Sequence, residues 1–148
     1  MSVETMDGTF SADERKAIKA RAAELRAEGK KGERKAEDLK AALDKIAEMA
    51  PADRELAERI HATITATVPE VLTKTWYGMP AYTTADGKLL VAFKNAGKFG
   101  ARYSTLEFQD ASALDDGEMW AVSFAITAWT PAVEAKVADL IVTAAARA

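Results

Sequence analysis

The chain has 148 residues, of which 49% are hydrophobic, 29% are charged and none is cysteine. This length suits about one domain with a hydrophobic core of its own. The lack of cysteine excludes a disulfide framework, a thiol nucleophile and a thiolate metal site. The formal net charge of −3 argues against a protein that binds nucleic acid by neutralising phosphates.

The first 36 residues are predicted to form a charged segment of their own. Residues 1–10 are predicted to be a loose tail, and Ser11 with Glu14 has the spacing of a capping box. A helix is therefore predicted over about residues 12–28. The run Gly29-Lys30-Lys31-Gly32 is then predicted to interrupt it as a flexible joint.

Residues 37–148 are predicted to form one α+β domain. Two amphipathic helices open it, over 37–49 and from Pro51 to just before Val68-Pro69. The period then changes to that of β-strands. A strand is predicted to end at a corner formed by Gly78-Met79-Pro80, and a hairpin to turn at Asp86-Gly87.

Three further strands and a helix complete the prediction. The strands are placed in the runs 89–93, 99–103 and 120–126, and the helix begins at Pro131 with apolar residues at helical spacing. Helices, then antiparallel strands, then a helix predict a two-layer α+β sandwich. In it, about five strands form the sheet, and the N-terminal and C-terminal helices cover one face.

The sequence also predicts a cytoplasmic protein. The N-terminal residues are acidic and lack the apolar segment of a signal peptide. The longest apolar-rich run, from Met119 to Trp129, is too short to cross a membrane.

Residues 76–103 carry a family resemblance. The corner Trp76-Tyr77-Gly78-Met79-Pro80-Ala81-Tyr82 and the strands Gly87 to Lys94 and Lys98 to Tyr103 resemble the YdhG-like family of small bacterial domains, and over the whole chain the resemblance covers about residues 37–148. It implies a compact α+β domain that has been compared with frataxin.

For function, the resemblance implies iron handling in part of the family, because a member is described as an intracellular iron chaperone. The expected cofactor is then weakly bound iron, and the expected partners are iron–sulfur or haem assembly proteins. Many members have a histidine at the start of the predicted strand that contains Phe99, and this chain has Lys98 at that position.

Two groups of carboxylates are candidates for such a metal, since hard oxygen ligands suit iron, manganese, calcium or magnesium. The first group lies within twelve residues and consists of Glu107, Asp110, Asp115, Asp116 and Glu118. The second lies on one predicted helix and consists of Glu37, Asp44 and Glu48. The single histidine, His61, is predicted to be a part-buried structural residue.

A third candidate is an apolar groove beside the Met79-Pro80 corner, which would take a small apolar ligand. Aromatic residues concentrate in the predicted sheet, and the residues assigned to this groove are Trp76, Tyr77, Met79, Pro80, Tyr82, Phe93 and Tyr103.

No spacing of nucleophile, base and orienting group is visible, so the sequence predicts a protein without catalytic activity. Three functions stay open: weak iron binding, small-molecule binding in the aromatic groove, and protein assembly through helix 12–28.

Overall fold

A computed structural model describes residues 11–146, and the predicted tail at residues 1–10 lies outside them. Within the described range the chain divides into two units between Ala36 and Glu37. The helices and strands follow one another as α1 (Ala12–Ala47), α2 (Pro51–Thr67), β1 (Leu72–Trp76), β2 (Met79–Thr83), β3 (Leu89–Lys94), α3 (Ala96–Phe99), β4 (Ser104–Phe108), β5 (Ser123–Ile126) and α4 (Pro131–Ala144).

The predicted α+β class with a five-stranded antiparallel sheet is confirmed. The strands lie side by side in chain order, β1-β2-β3-β4-β5, and each pair is antiparallel. Short connections suffice for this topology, because an antiparallel neighbour needs no crossover helix. Helix α4 begins where it was predicted, at Pro131, and the Thr130 side chain caps it by accepting a hydrogen bond from the Val133 amide.

The core lies between one face of this sheet and the helices α2 and α4. Neighbouring pairs such as Ala81 with Ala92 and Tyr82 with Val91 alternate between the two faces. The helix-facing side carries the large apolar residues, which share one buried cluster with the helices: Tyr82, Val91, Phe93, Leu106, Phe108 and Ile126 from strands, and Ile60, Ile64, Val137 and Ile141 from helices.

The opposite face of the sheet has a smaller cluster. Met79, Ala81 and Ala92 are buried there, with Trp76 and Leu89 packed against them. The two clusters show that the apolar residues of the sheet separate by strand alternation into a large group on the helix face and a smaller group on the other.

The structure has no interruption at residues 29–32, where a flexible joint was predicted, because helix α1 is continuous there. The helix starts as predicted, with the Glu14 amide donating to Ser11 Oγ at 3.2 Å, but it continues through both glycines to Ala47. Each glycine costs about 1 kcal/mol relative to alanine in a helix interior, and the surrounding lysine, arginine, glutamate and alanine residues are good helix formers. Without a proline to block it, the helix tolerates both glycines.

The predicted corner at Gly78-Met79-Pro80 lies one residue earlier in the structure. Tyr77 and Gly78 both have positive φ, 49° and 73°, and form the two-residue turn of a β1–β2 hairpin. Met79 and Pro80 belong to strand β2 instead. The paired register between β2 and β3 begins at Ala81, since Pro80 has no amide hydrogen to contribute.

The strand predicted over residues 99–103 is wrong. Residues Ala96–Phe99 form the short helix α3, and Gly100 ends it in the left-handed conformation with φ 62°. The Ala101 amide then donates to Ala96 O, so the chain turns back before β4 begins at Ser104. Strand β5 is also shorter than predicted and begins at Ser123 rather than at residue 120.

His61 joins helix α2 to the sheet through a polar contact in the core. The residue is half-buried, as predicted, and its Nδ1 lies 2.9 Å from the hydroxyl oxygen of Tyr82. Burial lowers the pKa of His61 below its usual 6.5, and burial also raises the pKa of the Tyr82 hydroxyl. The imidazole is therefore neutral at pH 7, and we assign the Tyr82 hydroxyl as the donor to Nδ1.

The free energy of unfolding is expected to fall as the pH decreases from about 7.5 to about 5. The unfolded chain binds a proton at His61 near the usual pKa of 6.5, whereas the folded chain binds it only at lower pH, so acid favours the unfolded state. His61→Gln keeps a hydrogen-bonding side chain that does not titrate. Urea unfolding across this range is expected to show a flatter pH dependence for the variant, and an unchanged slope would contradict the assignment.

Candidate functional site

Asp53 is the central polar residue at one end of the sheet. It lies in the first turn of helix α2, two residues after Pro51, and only 9% of it is exposed. Its Oδ2 atom accepts hydrogen bonds from the Gly97 amide at 2.8 Å and from Asn95 Nδ2 at 3.1 Å. The positive end of the helix dipole stabilises a carboxylate at this position.

Gly97 allows this contact because it has no side chain. A Cβ atom at position 97 would lie 2.7 Å from Asp53 Oδ2, which is closer than such atoms approach in real structures. A side chain at position 97 would therefore displace the Asp53 carboxylate from this contact.

Ser104 fixes the other end of the same connection. Its side chain is buried, and its Oγ accepts a hydrogen bond from the Ala96 amide at 2.9 Å. The start of the segment from Asn95 to Ser104 is thus bonded both to Asp53 of helix α2 and to Ser104, the first residue of strand β4. These two attachments position Arg102 and Tyr103.

A cavity of about 400 Å³ lies between this segment, the start of helix α2 and the end of strand β5. Its larger apolar and aromatic lining residues are Tyr103, Trp129, Leu56 and Ile126. The Arg102 guanidinium carbon lies 5.0 Å from the centre of the Tyr103 ring, a cation–π distance. The remaining polar residues of the lining are Asp53, Glu55, Ser104 and Thr127.

A second cavity, of about 330 Å³, also contacts Asp53 and is lined mainly by polar residues. Lys45 and Glu48 line it and lie 3.6 Å apart as an ion pair. Lys98 Nζ donates to the Tyr77 carbonyl at 3.5 Å, so it holds the β1–β2 turn. The charges of this cavity are already paired or bonded within the chain, which makes the 400 Å³ cavity the better candidate for a ligand.

The first predicted carboxylate group lies along β4 and the connection to β5. Glu107 is half-buried in β4, where Thr105 Oγ1 donates to its Oε1 at 3.3 Å, and the other four lie in the connection. Among residues 11–146 no three histidine, aspartate or glutamate side chains are grouped so that they could hold a metal ion.

In the second predicted carboxylate group, Glu37 and Asp44 lie on helix α1 and Glu48 directly follows its end, and two of the three are paired with lysines. Asp44 accepts a hydrogen bond from Lys40 at 2.9 Å, and Glu48 pairs with Lys45. Both pairs join exposed residues three or four positions apart at the end of helix α1, so they are ordinary surface ion pairs.

The residues of the predicted aromatic groove lie in four different places. Tyr82 and Phe93 are buried in the helix-facing core and Pro80 is also fully buried, whereas Trp76 and Met79 belong to the cluster on the opposite face of the sheet. Tyr77 is 82% exposed in the hairpin turn. Of the seven, Tyr103 alone lines the 400 Å³ cavity, and the other six do not converge there.

Sequence reasoning missed Asp53, Asn95, Gly97 and Trp129 as parts of a site. One signal was available, because an acidic residue in a first helical turn after proline favours a helix start. That signal predicts the start of a helix, but it does not predict the contact of Asp53 with Asn95 and Gly97. Asp53 and Asn95 are 42 positions apart, and no pattern in the sequence links them.

No family model, curated protein or solved structure matches this chain. Within residues 11–146, no helix is long and apolar enough to cross a membrane.

Asp53→Ala is expected to lower the free energy of unfolding by about 3 kcal/mol, because the Gly97 amide and the Asn95 amide group lose their acceptor while partly buried. Amide hydrogen exchange at Gly97 is expected to become faster than at other core positions. Both effects can be measured by urea unfolding and exchange NMR.

Glu55→Ala is the matched control, since Glu55 is exposed on the same helix, and a change within about 0.5 kcal/mol is expected. Gly97→Ala is expected to destabilise the protein by displacing the same carboxylate. Equal and small effects of Asp53→Ala and Glu55→Ala would show that the carboxylate does not hold the segment.

Proposed function

We propose that residues 37–148 form a YdhG-like, non-enzymatic binding domain that takes a small organic anion with an apolar body in the 400 Å³ cavity. The observation that carries the proposal is the combination in one cavity of Arg102, the Tyr103 ring and the Trp129 side chain. Ligand cavities in proteins have volumes of about 300–1,000 Å³, and the volume of this cavity lies in that range.

Arg102 supports an anionic ligand. Its guanidinium stacks on the Tyr103 ring, and a stacked guanidinium keeps the N–H groups at its edge for a carboxylate. A carboxylate bound by two such N–H groups gains both strength and orientation. The neighbouring apolar walls of Leu56, Ile126 and Trp129 would cover the remainder of the ligand.

Two polar side chains of the cavity support binding rather than catalysis. Asp53 Oδ2 accepts from two donors, and Ser104 Oγ accepts from the Ala96 amide. A general base must reach a proton of the substrate, and these atoms are occupied in holding the segment between Asn95 and Ser104.

Weak iron binding, with iron–sulfur or haem assembly proteins as partners, stays a prediction from the resemblance. No contact among the described carboxylates favours it over the cavity, and an anaerobic titration with Fe²⁺ followed by amide NMR would test it separately. Binding of iron would not exclude an organic ligand, because none of the predicted metal residues lines the 400 Å³ cavity. Glu48 lines the smaller cavity of about 330 Å³.

Benzoate is a suitable probe of the proposal because it joins a carboxylate to an apolar ring. In amide and indole NMR spectra, benzoate is expected to shift the Trp129 indole and the amides of Arg102 and Tyr103 in a saturable way. Benzamide, which has the same shape without the charge, is expected to bind about tenfold more weakly, since a charge-assisted pair is worth more than a neutral hydrogen bond.

Arg102→Gln is expected to reduce benzoate binding to the level of benzamide. Arg59→Gln serves as the matched control, because Arg59 is exposed on helix α2 and does not line this cavity. Equal binding of the two probes, no effect of Arg102→Gln, or no saturable shift with either probe would each overturn the proposal.

A further inference from the structure

One face of helix α1 carries apolar or small residues at alternating spacings of four and three. These positions form the a and d stripe of a heptad repeat, and they are Ile18, Ala22, Leu25, Gly29, Gly32, Ala36, Leu39, Leu43 and Ile46. The large members Ile18, Leu25, Leu39 and Leu43 are 41%, 51%, 37% and 42% exposed. Most of the apolar stripe is thus open to a partner.

Charged residues flank this stripe on both sides. The flank that precedes each a position carries Arg21, Glu28 and Lys35, and the flank that follows each d position carries Lys19, Arg26, Glu33 and Lys40. In a coiled coil these flanking residues decide which partner and which orientation is accepted.

A parallel pair of these helices is disfavoured. In a parallel dimer each residue of the first flank faces the residue of the second flank five positions later on the other helix. Arg21 would then face Arg26, Glu28 would face Glu33, and Lys35 would face Lys40. These three contacts join like charges, and the two-fold symmetry repeats each of them.

An antiparallel pair centred between Lys30 and Lys31 is favoured. In an antiparallel dimer each flank faces the same flank of the other helix. Arg26 then faces Glu33 of the second copy, and Glu28 faces Lys35 of the second copy, with each pair repeated by symmetry. The contact of Lys19 with Lys40 of the second copy is unfavourable, but Lys40 already pairs with Asp44 of its own helix at 2.9 Å.

The charges also select this register over its neighbours. A shift by one heptad in one direction places Arg26 opposite Arg26 and Glu28 opposite Glu28 of the second copy. A shift in the other direction places Glu33 opposite Glu33 and Lys35 opposite Lys35. The favoured register is therefore the one in which the central charges of the two copies are opposite in sign.

The apolar layers of this register are compatible with close packing. Gly29 faces Gly32 of the second copy, and Leu25 faces Ala36 of the second copy. Neither glycine has an atom of its own chain within 4 Å of where a Cβ would lie, apart from its helix neighbours, so this space is open. The outer layers of the register join Ala22 with Leu39, and Ile18 with Leu43, of the second copy.

We infer that helix α1 is a self-association surface, and that its occupant is the same helix of a second copy of this chain in antiparallel orientation. The unmodified protein is expected to sediment with twice its 15.9 kDa mass, with a dissociation constant in the micromolar range. A protein that stays monomeric into the millimolar range would overturn the inference.

A charge exchange tests the contacts. Glu28→Lys with Glu33→Lys, and separately Arg26→Glu with Lys35→Glu, are each expected to weaken self-association by about tenfold or more, because opposed pairs become like-charged. Mixed in equal amounts, the two variants are expected to form a heterodimer, since all four central pairs are then opposite in sign. Circular dichroism checks that both variants keep their helix.

Glu24→Lys with Glu37→Lys is the matched control, because it makes the same charge change outside the two flanks and is expected to leave the dimer intact. A dimer that is insensitive to the charge exchange, or two variants that do not combine, would overturn the inference.

The orientation is tested by distance. The chain has no cysteine, so a spin label can be attached at a single site with Ala20→Cys. In the antiparallel register Ala20 lies level with Ala41 of the second copy, which separates the two labels along the axis by about 32 Å. In a parallel dimer the two labels would lie at the same level of the helix pair. A correspondingly short distance between them would overturn the antiparallel register.

Discussion

The carboxylate of Asp53 is the contact on which the arrangement at the cavity end of the sheet depends. It joins helix α2 to residues 42 and 44 positions later in the chain. A buried carboxylate without partners would be strongly unfavourable, whereas hydrogen bonds to a charged group contribute about 1.5–3 kcal/mol each. The two hydrogen bonds therefore offset the free-energy cost of burying the carboxylate, and they attach helix α2 to the segment that follows β3.

This attachment explains why the chain after β3 forms a helical turn instead of a strand. The Gly97 amide must approach Asp53 Oδ2 within 2.8 Å, and helix α3 presents it there. Gly100 then reverses the chain so that Ser104 can bind the Ala96 amide. The same backbone path places Arg102 and Tyr103 over the cavity, so the candidate site is a consequence of how this connection is held.

The α+β class was predictable because it depends on periodicity. Apolar residues at helical spacing after Pro131 and the continuous apolar run of β3 indicate their elements within a few residues, and both were placed correctly. The connection after β3 was not predictable in the same way. Phe99 and Tyr103 favour a strand locally, and the distant carboxylate of Asp53 holds part of this segment in a helical turn instead.

The candidate cavity was predictable only in part for the same reason. Tyr103 was assigned to a ligand pocket, but the aromatic residues around Pro80 were assigned to the same pocket although strand alternation sends them to different faces. A two-residue turn at Tyr77 and Gly78 instead of a corner at Gly78-Met79-Pro80 sets which residue lies on which face. Trp129 lines the cavity from the connection between β5 and α4, and no local pattern in the sequence connects it with Arg102.

Helix α1 has a different energetic basis from the other elements. Among its residues only Ala42 and Ile46 are buried, whereas helix α2 buries five of its residues. The two glycines together cost about 2 kcal/mol relative to alanine, and surface pairs such as Arg21 with Glu24 contribute only about 0.2–0.5 kcal/mol each. Local terms therefore leave this helix marginal, because most helical stability in proteins comes from packing an apolar face. An open stripe with matched charges on both flanks supplies such a face, and covering it would stabilise the helix where the glycines weaken it.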